Sequence, residues 1–267
     1  MKRLLLLALL VSPCALAQTT LRYLGNEGVM VSQGDTRVLF DPLFNNSFGQ
    51  YQLVPDNVRE SIFAGAPPFD GVDAVFISHH HDDHFSVDDI LRLLREQDSI
   101  RLYAPAQAVS TLQNAAGPGA DAVFDRVTGL AIGYGDDPVD IQVGELVIGA
   151  AHVPHAGWPT RTPEVQNIAF RISFADGSTV LHLGDADARA VHFEAHEAWW
   201  EDRTIDVALP PFWFFLSDDG VDILETRLDV IDAIGIHVPE SYADPANRPQ
   251  ELFTRDLFTQ PGETRQF

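Results

Sequence analysis

The residues of this chain best equipped for chemistry crowd into Ser78-His79-His80-His81-Asp82-Asp83-His84, four imidazoles and two carboxylates in seven positions. Neutral imidazole and carboxylate are donors that suit zinc, and a catalytic zinc keeps one coordination position open for water. His79 and His81, two apart, can chelate one ion, while the adjacent Asp83 and His84 can turn toward a second. A histidine run can also be a solvated metal-scavenging tract, but such tracts belong to polar, low-complexity segments. This run instead has an apolar segment before it and an amphipathic one behind it.

Those flanking elements explain how the cluster is presented. Val72-Asp73-Ala74-Val75-Phe76-Ile77 is short, β-branched and mostly apolar, the composition of a buried strand. Beyond the cluster, Ser86 is a good N-cap with Asp89 three residues on, and Val87, Ile90, Leu91 and Leu94 recur at i, i+3, i+4 and i+7. This pattern predicts a helix from about 87 to 97. The histidines therefore lie on a strand-to-helix loop.

Read as H-x-H-x-D-H, the loop resembles the binuclear metal motif of the metallo-β-lactamase superfamily. The resemblance calls for a third histidine after a strand, an aspartate after a later strand and a last histidine after another. His155 follows the strand-like 145–153, Asp185 follows 178–184, and His237 follows 233–236. By that resemblance His79, His81 and His155 hold one metal, Asp83, His84 and His237 hold the other, and Asp185 bridges both. It implies two Zn2+ per chain, with Fe or Mn possible, and an α/β fold, an αββα sandwich with the metals at one edge between the sheets. It implies a hydrolase in which a hydroxide shared by two zinc ions attacks an ester, lactone, amide or phosphodiester of a small-molecule substrate, with Asp83 orienting the nucleophile and accepting its proton. Length and the Leu-His-Leu-Gly-Asp pattern ending at Asp185 look most like the branch of ascorbate-6-phosphate lactonase-like and N-acyl-phosphatidylethanolamine phospholipase D-like hydrolases. The strand-ending Asp41-Pro42 resembles a superfamily feature in which the aspartate supports the histidine loop; an ordinary Asp-Pro turn explains it equally well.

Two further readings use the same side chains. Histidine and aspartate also suit iron, so an iron-dependent oxygenase or redox protein could occupy this scaffold, and a periplasmic zinc-binding protein needs no catalysis at all. His152 competes with His155 for the third ligand position; Pro154, which ends a strand ladder, favours His155. His80, Asp82 and His182 lie beside the motif without filling it, and His182 is expected to pack or hydrogen-bond between the sheets. His192 and His196, four apart in a predicted helix over 188–200, could chelate a separate ion, although the set is complete without them.

Composition narrows the partners. Met1 to Ala17 has the form of a signal peptide: Lys2 and Arg3, an apolar stretch from Leu4 to Val11, then Ala15-Leu16-Ala17 before the cleavage point. A periplasmic or secreted protein of residues 18–267, a single hydrolase domain, is expected. Cleavage removes Cys14, the only cysteine, so neither a disulfide nor a thiolate ligand is available; lipidation of Cys14 is the minor alternative, disfavoured by Pro13. It also removes Lys2 and Arg3, leaving 15 basic against 39 acidic residues, a net charge of −24. Lys2 is the only lysine, which argues against nucleic acid as a partner. No apolar stretch is long enough for stable membrane insertion. Nothing in the sequence sets the oligomeric state.

The remaining segments read as a scaffold for these loops. Residues 21–31 form a strand pair turning at Asn26-Glu27-Gly28, and 37–40 another strand. Residues 45–69 read as a long loop near the cleft; Phe44, Phe48 and Tyr51 line a substrate pocket or pin the loop down, and core packing is the better reading for each singly. Residues 100–104 read as a strand, 106–116 as a helix, and 167–174 with 179–183 as a hairpin across Ala175-Asp176-Gly177-Ser178. Residues 205–209 read as a strand and 221–231 as a helix. Between them, Phe212-Trp213-Phe214-Phe215 is either a buried strand or an apolar border to the site.

Overall fold

Alternating burial along the N-terminal segments generates the first of two sheets in the computed structural model, which describes residues 18–267; the expected signal segment lies outside the described residues. Strands β1 (Thr20–Gly25), β2 (Gly28–Gln33) and β3 (Thr36–Phe40) form an antiparallel meander, turning at Asn26-Glu27 as the sequence indicates. They are followed by β4 (Ala74–Phe76), β5 (Arg101–Pro105) and β6 (Val127–Leu130), added in parallel to β3. The second sheet comprises β7 (Val139–Val143), β8 (Leu146–His152), β9 (Ile168–Ser173), β10 (Thr179–His182), β11 (Val207–Leu209), β12 (Asp232–Gly235) and β13 (Asp256–Leu257). Strand β14 (Thr264–Gln266) returns to the outer side of β1, giving two seven-stranded sheets in the orders β14-β1-β2-β3-β4-β5-β6 and β13-β12-β11-β10-β9-β8-β7.

Three apolar clusters define four layers. Tyr23, Phe40, Phe76, Ile148, Phe170, Val180 and Leu209 fill the space between the sheets. The outer face of the first sheet packs Leu39, Val75 and Leu102 against helices α1 (Asp56–Ala64), α2 (Val87–Glu96) and α3 (Ala106–Ala116). The outer face of the second packs Ala169, Leu181 and Ala208 against Phe193, Trp200, Phe214 and Ile223 from short helical turns. This is the expected αββα sandwich of the metallo-β-lactamase type, with helix α2 capped by the Ser86 hydroxyl accepting from Asp89 N. Among the described residues no helix is long and apolar enough to cross a membrane.

Four local expectations are corrected. The 45–69 loop contains α1, which starts after Pro55, a residue pre-set for a helix entrance, and buries Ile62 and Phe63. The predicted 188–200 helix is interrupted at His196 (φ −130°), leaving turns Val191–Glu194 and Glu197–Glu201. The break brings Trp199 over the buried Arg171 guanidinium at 3.8 Å, where Trp199 O and Asp202 satisfy a charge that could not remain unpaired inside. Phe212–Leu216 is a 3-10 turn rather than a strand, because Pro210-Pro211 removes ladder donors, and only Phe214 and Phe215 enter the core. The 221–231 helix is shortened to Asp218–Asp222 plus one wide turn, Ile223–Arg227.

Candidate metal centre

The loops leaving β4, β8, β10 and β12 open on one edge of the sandwich, where parallel strands end together and ligand sites form most readily. Asp41, at the end of β3, organises the first loop. One carboxylate oxygen accepts from Ser78 N at 2.8 Å; the other accepts from Ser78 Oγ at 2.5 Å and His84 Nδ1 at 2.9 Å. It thus closes the 78–84 loop at both ends, which selects the supporting role for Asp41 over a plain turn.

Asn167 does the same for the second sheet. Its amide nitrogen donates to Val153 O (3.1 Å) and Leu183 O (3.0 Å), and its amide oxygen accepts from Asp185 N (3.0 Å), so the loops bearing His155 and Asp185 share one buried tie. Between Leu183 and Asp185 the chain passes so close to Asn167 and Ser78 that a Cβ on Gly184 would collide with Asn167 Oδ1 and Ser78 Cβ; its φ of +56° independently favours glycine.

All seven residues named from the sequence come together. The donor atoms of His79, His81, His155 and Asp185 lie within 4.8 Å of one another, and so do those of Asp83, His84 and His237. Asp185 stands between the two sets. Its Oδ2 is 3.1 Å from His155 Nε2 and 3.9 Å from His79 Nε2, whereas its Oδ1 is 3.3 Å from His84 Nε2 and 3.2 Å from His237 Nε2. Asp83 Oδ2 is 3.4 Å from His237 Nε2 and 3.7 Å from His84 Nε2.

These donors fit divalent cations. His84 Nδ1 is committed to Asp41 and His155 Nδ1 to Ala156 O at 2.9 Å, which directs both Nε2 atoms inward. His84 Nε2, His155 Nε2, His237 Nε2 and Asp185 Oδ1 are buried there without a hydrogen-bond partner, an arrangement that otherwise carries the full desolvation penalty. His79 Nε2 also faces His81 Nδ1 at 3.1 Å, a hydrogen bond in which one imidazole donates to the other and which an ion between them would replace. A carboxylate and imidazole set of this kind suits zinc, iron or manganese.

Burial, reinforced by the charge of His84, holds the His79 imidazole well below its ordinary pKa; burial and His155 bring His81 down to about 4. His84 behaves oppositely: burial disfavours its charge, but Asp185 and Asp83 outweigh burial and keep it protonated well above the ordinary range. Burial works to raise Asp83 and Asp185, yet both are held low, Asp83 mainly by His84 and Asp185 by His237 and His84. In metal-free protein at neutral pH, His79 and His81 are thus ready to coordinate, whereas His84 must first lose a proton. Affinity at the ion held by His84 should rise about tenfold per pH unit below the His84 pKa, whereas the neutral His79 and His81 release no proton on binding. Calorimetric zinc titrations in buffers of different ionisation heat measure this; equal proton release by the two equivalents would show the assignment to be wrong.

The neighbouring candidates lie elsewhere. His152 is turned toward the backbone of 132–133 and 165 and lies near the Tyr134 ring (6.4 Å), outside either donor set. Asp82 is exposed, and His80 is half-buried beside the His81 ring (5.2 Å), outside either donor set. His182 donates to Glu27 O (3.1 Å), accepts from Gly184 N (3.3 Å) and stacks on Phe40, which places it between the sheets as expected. His192 bonds Tyr134 OH (3.1 Å) and lies 3.6 Å from Asp187, with no donor set joining it to His196 among the described residues. Glu27, read only as a turn residue, is fully buried 3.6 Å from His84 Nδ1, and burial raises its pKa well above the ordinary value. No local signal marks it, because its burial depends on His182, distant in sequence.

Comparison with known proteins gives the same architecture. The profile of the beta-lactamase superfamily domain matches residues 36–221. Protein Rv0786c of Mycobacterium tuberculosis is 26% identical over 168 residues, 62% of this chain and 63% of that relative's length. Among solved structures, Igni18, a metallo hydrolase from Ignicoccus hospitalis, superposes with a TM-score of 0.59 at 16% identity, covering 94% of this chain and 98% of its own. The isothiocyanate hydrolase from Delia radicum gut bacteria gives 0.58 at 14% identity, with coverage of 94% and 98%. CmlA, a diiron beta-hydroxylase from Streptomyces venezuelae, gives 0.56 at 14% identity, covering 96% of this chain and 55% of its own. At these identities the structural likenesses establish the fold.

Proposed function

Because the chain belongs to the metallo-β-lactamase superfamily, we propose that it is a metal-dependent hydrolase that uses two zinc ions to cleave an ester, lactone, amide or phosphodiester bond. The observation that carries this reading is the division of Asp185, one oxygen toward His79 and His155 and the other toward His84 and His237. His79, His81 and His155 would hold one ion, Asp83, His84 and His237 the other, with Asp185 shared. When bound, such ions supply Lewis acidity and a water acidified into the neutral range. The chain supplies the rest. The Asp83 carboxylate orients an attacking water and can accept its proton. Asp41 and Asn167 hold the loops rigid, so the donors need little reorganisation.

Beside the centre lies a cavity of about 430 Å³ lined by Ala156, Asp187, Ala188, Arg189, Trp213 and Ser217 among others. Trp213 donates from Nε1 to Ala186 O (3.0 Å), and its ring lies 5.2 Å from that of His237. This wall suits a substrate with an apolar acyl or alkyl part. Trp213→Ala should lower kcat/KM for long-chain esters about tenfold while sparing short ones, the effect of losing one apolar contact surface. An unchanged chain-length preference would leave Trp213 a packing residue. The hydrolase reading itself is tested by assaying metal-quantified protein on chromogenic esters, lactones, amides and phosphodiesters, with oxygen uptake followed in parallel. Oxygen consumption with bound iron would favour an oxygenase, and tight zinc binding without turnover a zinc-binding protein.

A further inference from the structure

Oxygen atoms that gain negative charge during bond cleavage require hydrogen-bond donors, and the side chains gathered here mostly offer acceptors: two anionic carboxylates and inward-facing imidazole nitrogens. Tyr51 is an exception. It lies on the segment between β3 and α1, pinned by an isolated antiparallel bridge to Pro239 and by Glu240 N donating to Gln50 O at 2.7 Å. This fastening sets the Tyr51 ring edge-on against the His237 ring, centroids 4.1 Å apart and planes at 77°. Phe44, seven residues earlier, is fully buried, and Phe48 is largely exposed. Tyr51 alone of the three is half-buried against the centre.

The Trp213 indole, which also packs on His237, has given its only donor to Ala186 O. The Tyr51 hydroxyl has no hydrogen-bond partner among the described residues and is not sealed from solvent. We propose that Tyr51 is a catalytic residue of the hydrolytic site, donating its phenolic hydrogen to the carbonyl or phosphoryl oxygen of the substrate as charge accumulates on that oxygen. The O–H bond stays intact; no proton is transferred. A phenol of ordinary pKa, about 10, keeps this hydrogen at neutral pH.

This role rests on the hydrolase reading, and Tyr51→Phe isolates it because the ring that packs on His237 is kept and only the hydroxyl is lost. Zinc content and Tm should be unchanged, kcat should fall about 100-fold and KM should change less than about threefold, the pattern of a contact made chiefly in the transition state. Calorimetric binding of inorganic phosphate to the zinc-loaded protein should weaken about tenfold, the loss of one hydrogen bond to a charged oxygen. A packing role would leave both phosphate affinity and kcat intact. Wild-type protein that turns over none of the assayed bonds defeats the hydrolase reading, while phosphate still reports on the donor. The assignment to Tyr51 is overturned if phosphate binds wild type and Tyr51→Phe equally, or binds neither, with any measurable kcat within twofold.

Discussion

Replacing Asp185 with Asn is expected to reduce bound zinc from two equivalents to about one and to lower turnover by roughly 10³-fold, the several kcal/mol associated with losing one ion's charge stabilisation. The side chain is buried, and its two oxygens face different imidazole pairs at 3.1–3.9 Å. Two zinc ions would bring four positive charges, against which Asp83 and Asp185 would set two negative ones. Asparagine keeps the size and one acceptor oxygen but deletes a charge, and it turns an NH2 donor toward ring nitrogens that would otherwise coordinate. The weaker position is the Asp83, His84, His237 set, because in metal-free protein it must also release the proton on His84. His79, His81 and His155 retain three donors and should keep their ion. The backbone tie from Asp185 N to Asn167 Oδ1 does not depend on the carboxylate, so the loop should remain in place. Metal analysis and kcat on the same preparation decide the matter: two retained zinc ions with near-normal turnover would remove Asp185 from the bridging position. Asp187 could not readily replace it, since Arg189 engages both its oxygens at 2.6 and 3.2 Å.

The parts of this centre that were legible in the sequence depend on local order. The 78–84 loop announces itself because its ligands are adjacent and are framed by a strand and a helix whose cap, Ser86 to Asp89, falls within a single turn. The β9–β10 hairpin is legible for the same reason, with its turn at Ala175-Asp176, closed by Gly177 N donating to Phe174 O. His155, Asp185 and His237 required the family resemblance, since nothing in their immediate surroundings distinguishes them from other strand-ending polar residues. What remained hidden was tertiary. Asn167 acts through Val153, Leu183 and Asp185, Glu27 through His84 and His182, and Tyr51 through His237. Each meets its partners only once the two sheets have closed. Helix α1 was masked by the prolines and glycines around it, with a packing face reduced to little more than Ile62 and Phe63. The interruption at His196 accompanies the contact of Trp199 with a buried arginine on β9, which no periodicity within 188–200 could disclose.

His155→Ala should abolish turnover and weaken zinc at its own set by roughly 10³-fold, whereas His152→Ala should leave both within about threefold. The two histidines are three residues apart, His152 ending β8 and His155 lying just beyond it, and the chain treats them differently. His152 is the last strand residue, paired with Ile168, and its ring points away toward Tyr134. Val153 N makes a final bond to Asn167 O at 3.2 Å, and Pro154, which has no N–H, lets the backbone leave the sheet. His155 then sits in an isolated bridge with Ala186, and its Nδ1–H donates to Ala156 O, fixing the tautomer that presents Nε2 to Asp185 Oδ2 at 3.1 Å. Alanine at 155 removes one of three imidazoles from a buried set and leaves Asp185 Oδ2 without its nearest partner. Alanine at 152 removes a partly exposed ring that no metal donor touches. Zinc per chain after dialysis against a graded chelator series, read beside kcat, separates the two variants. If His152→Ala loses the metal and His155→Ala keeps it, the third imidazole belongs to His152 and the loop must rearrange at Pro154 when the ion binds.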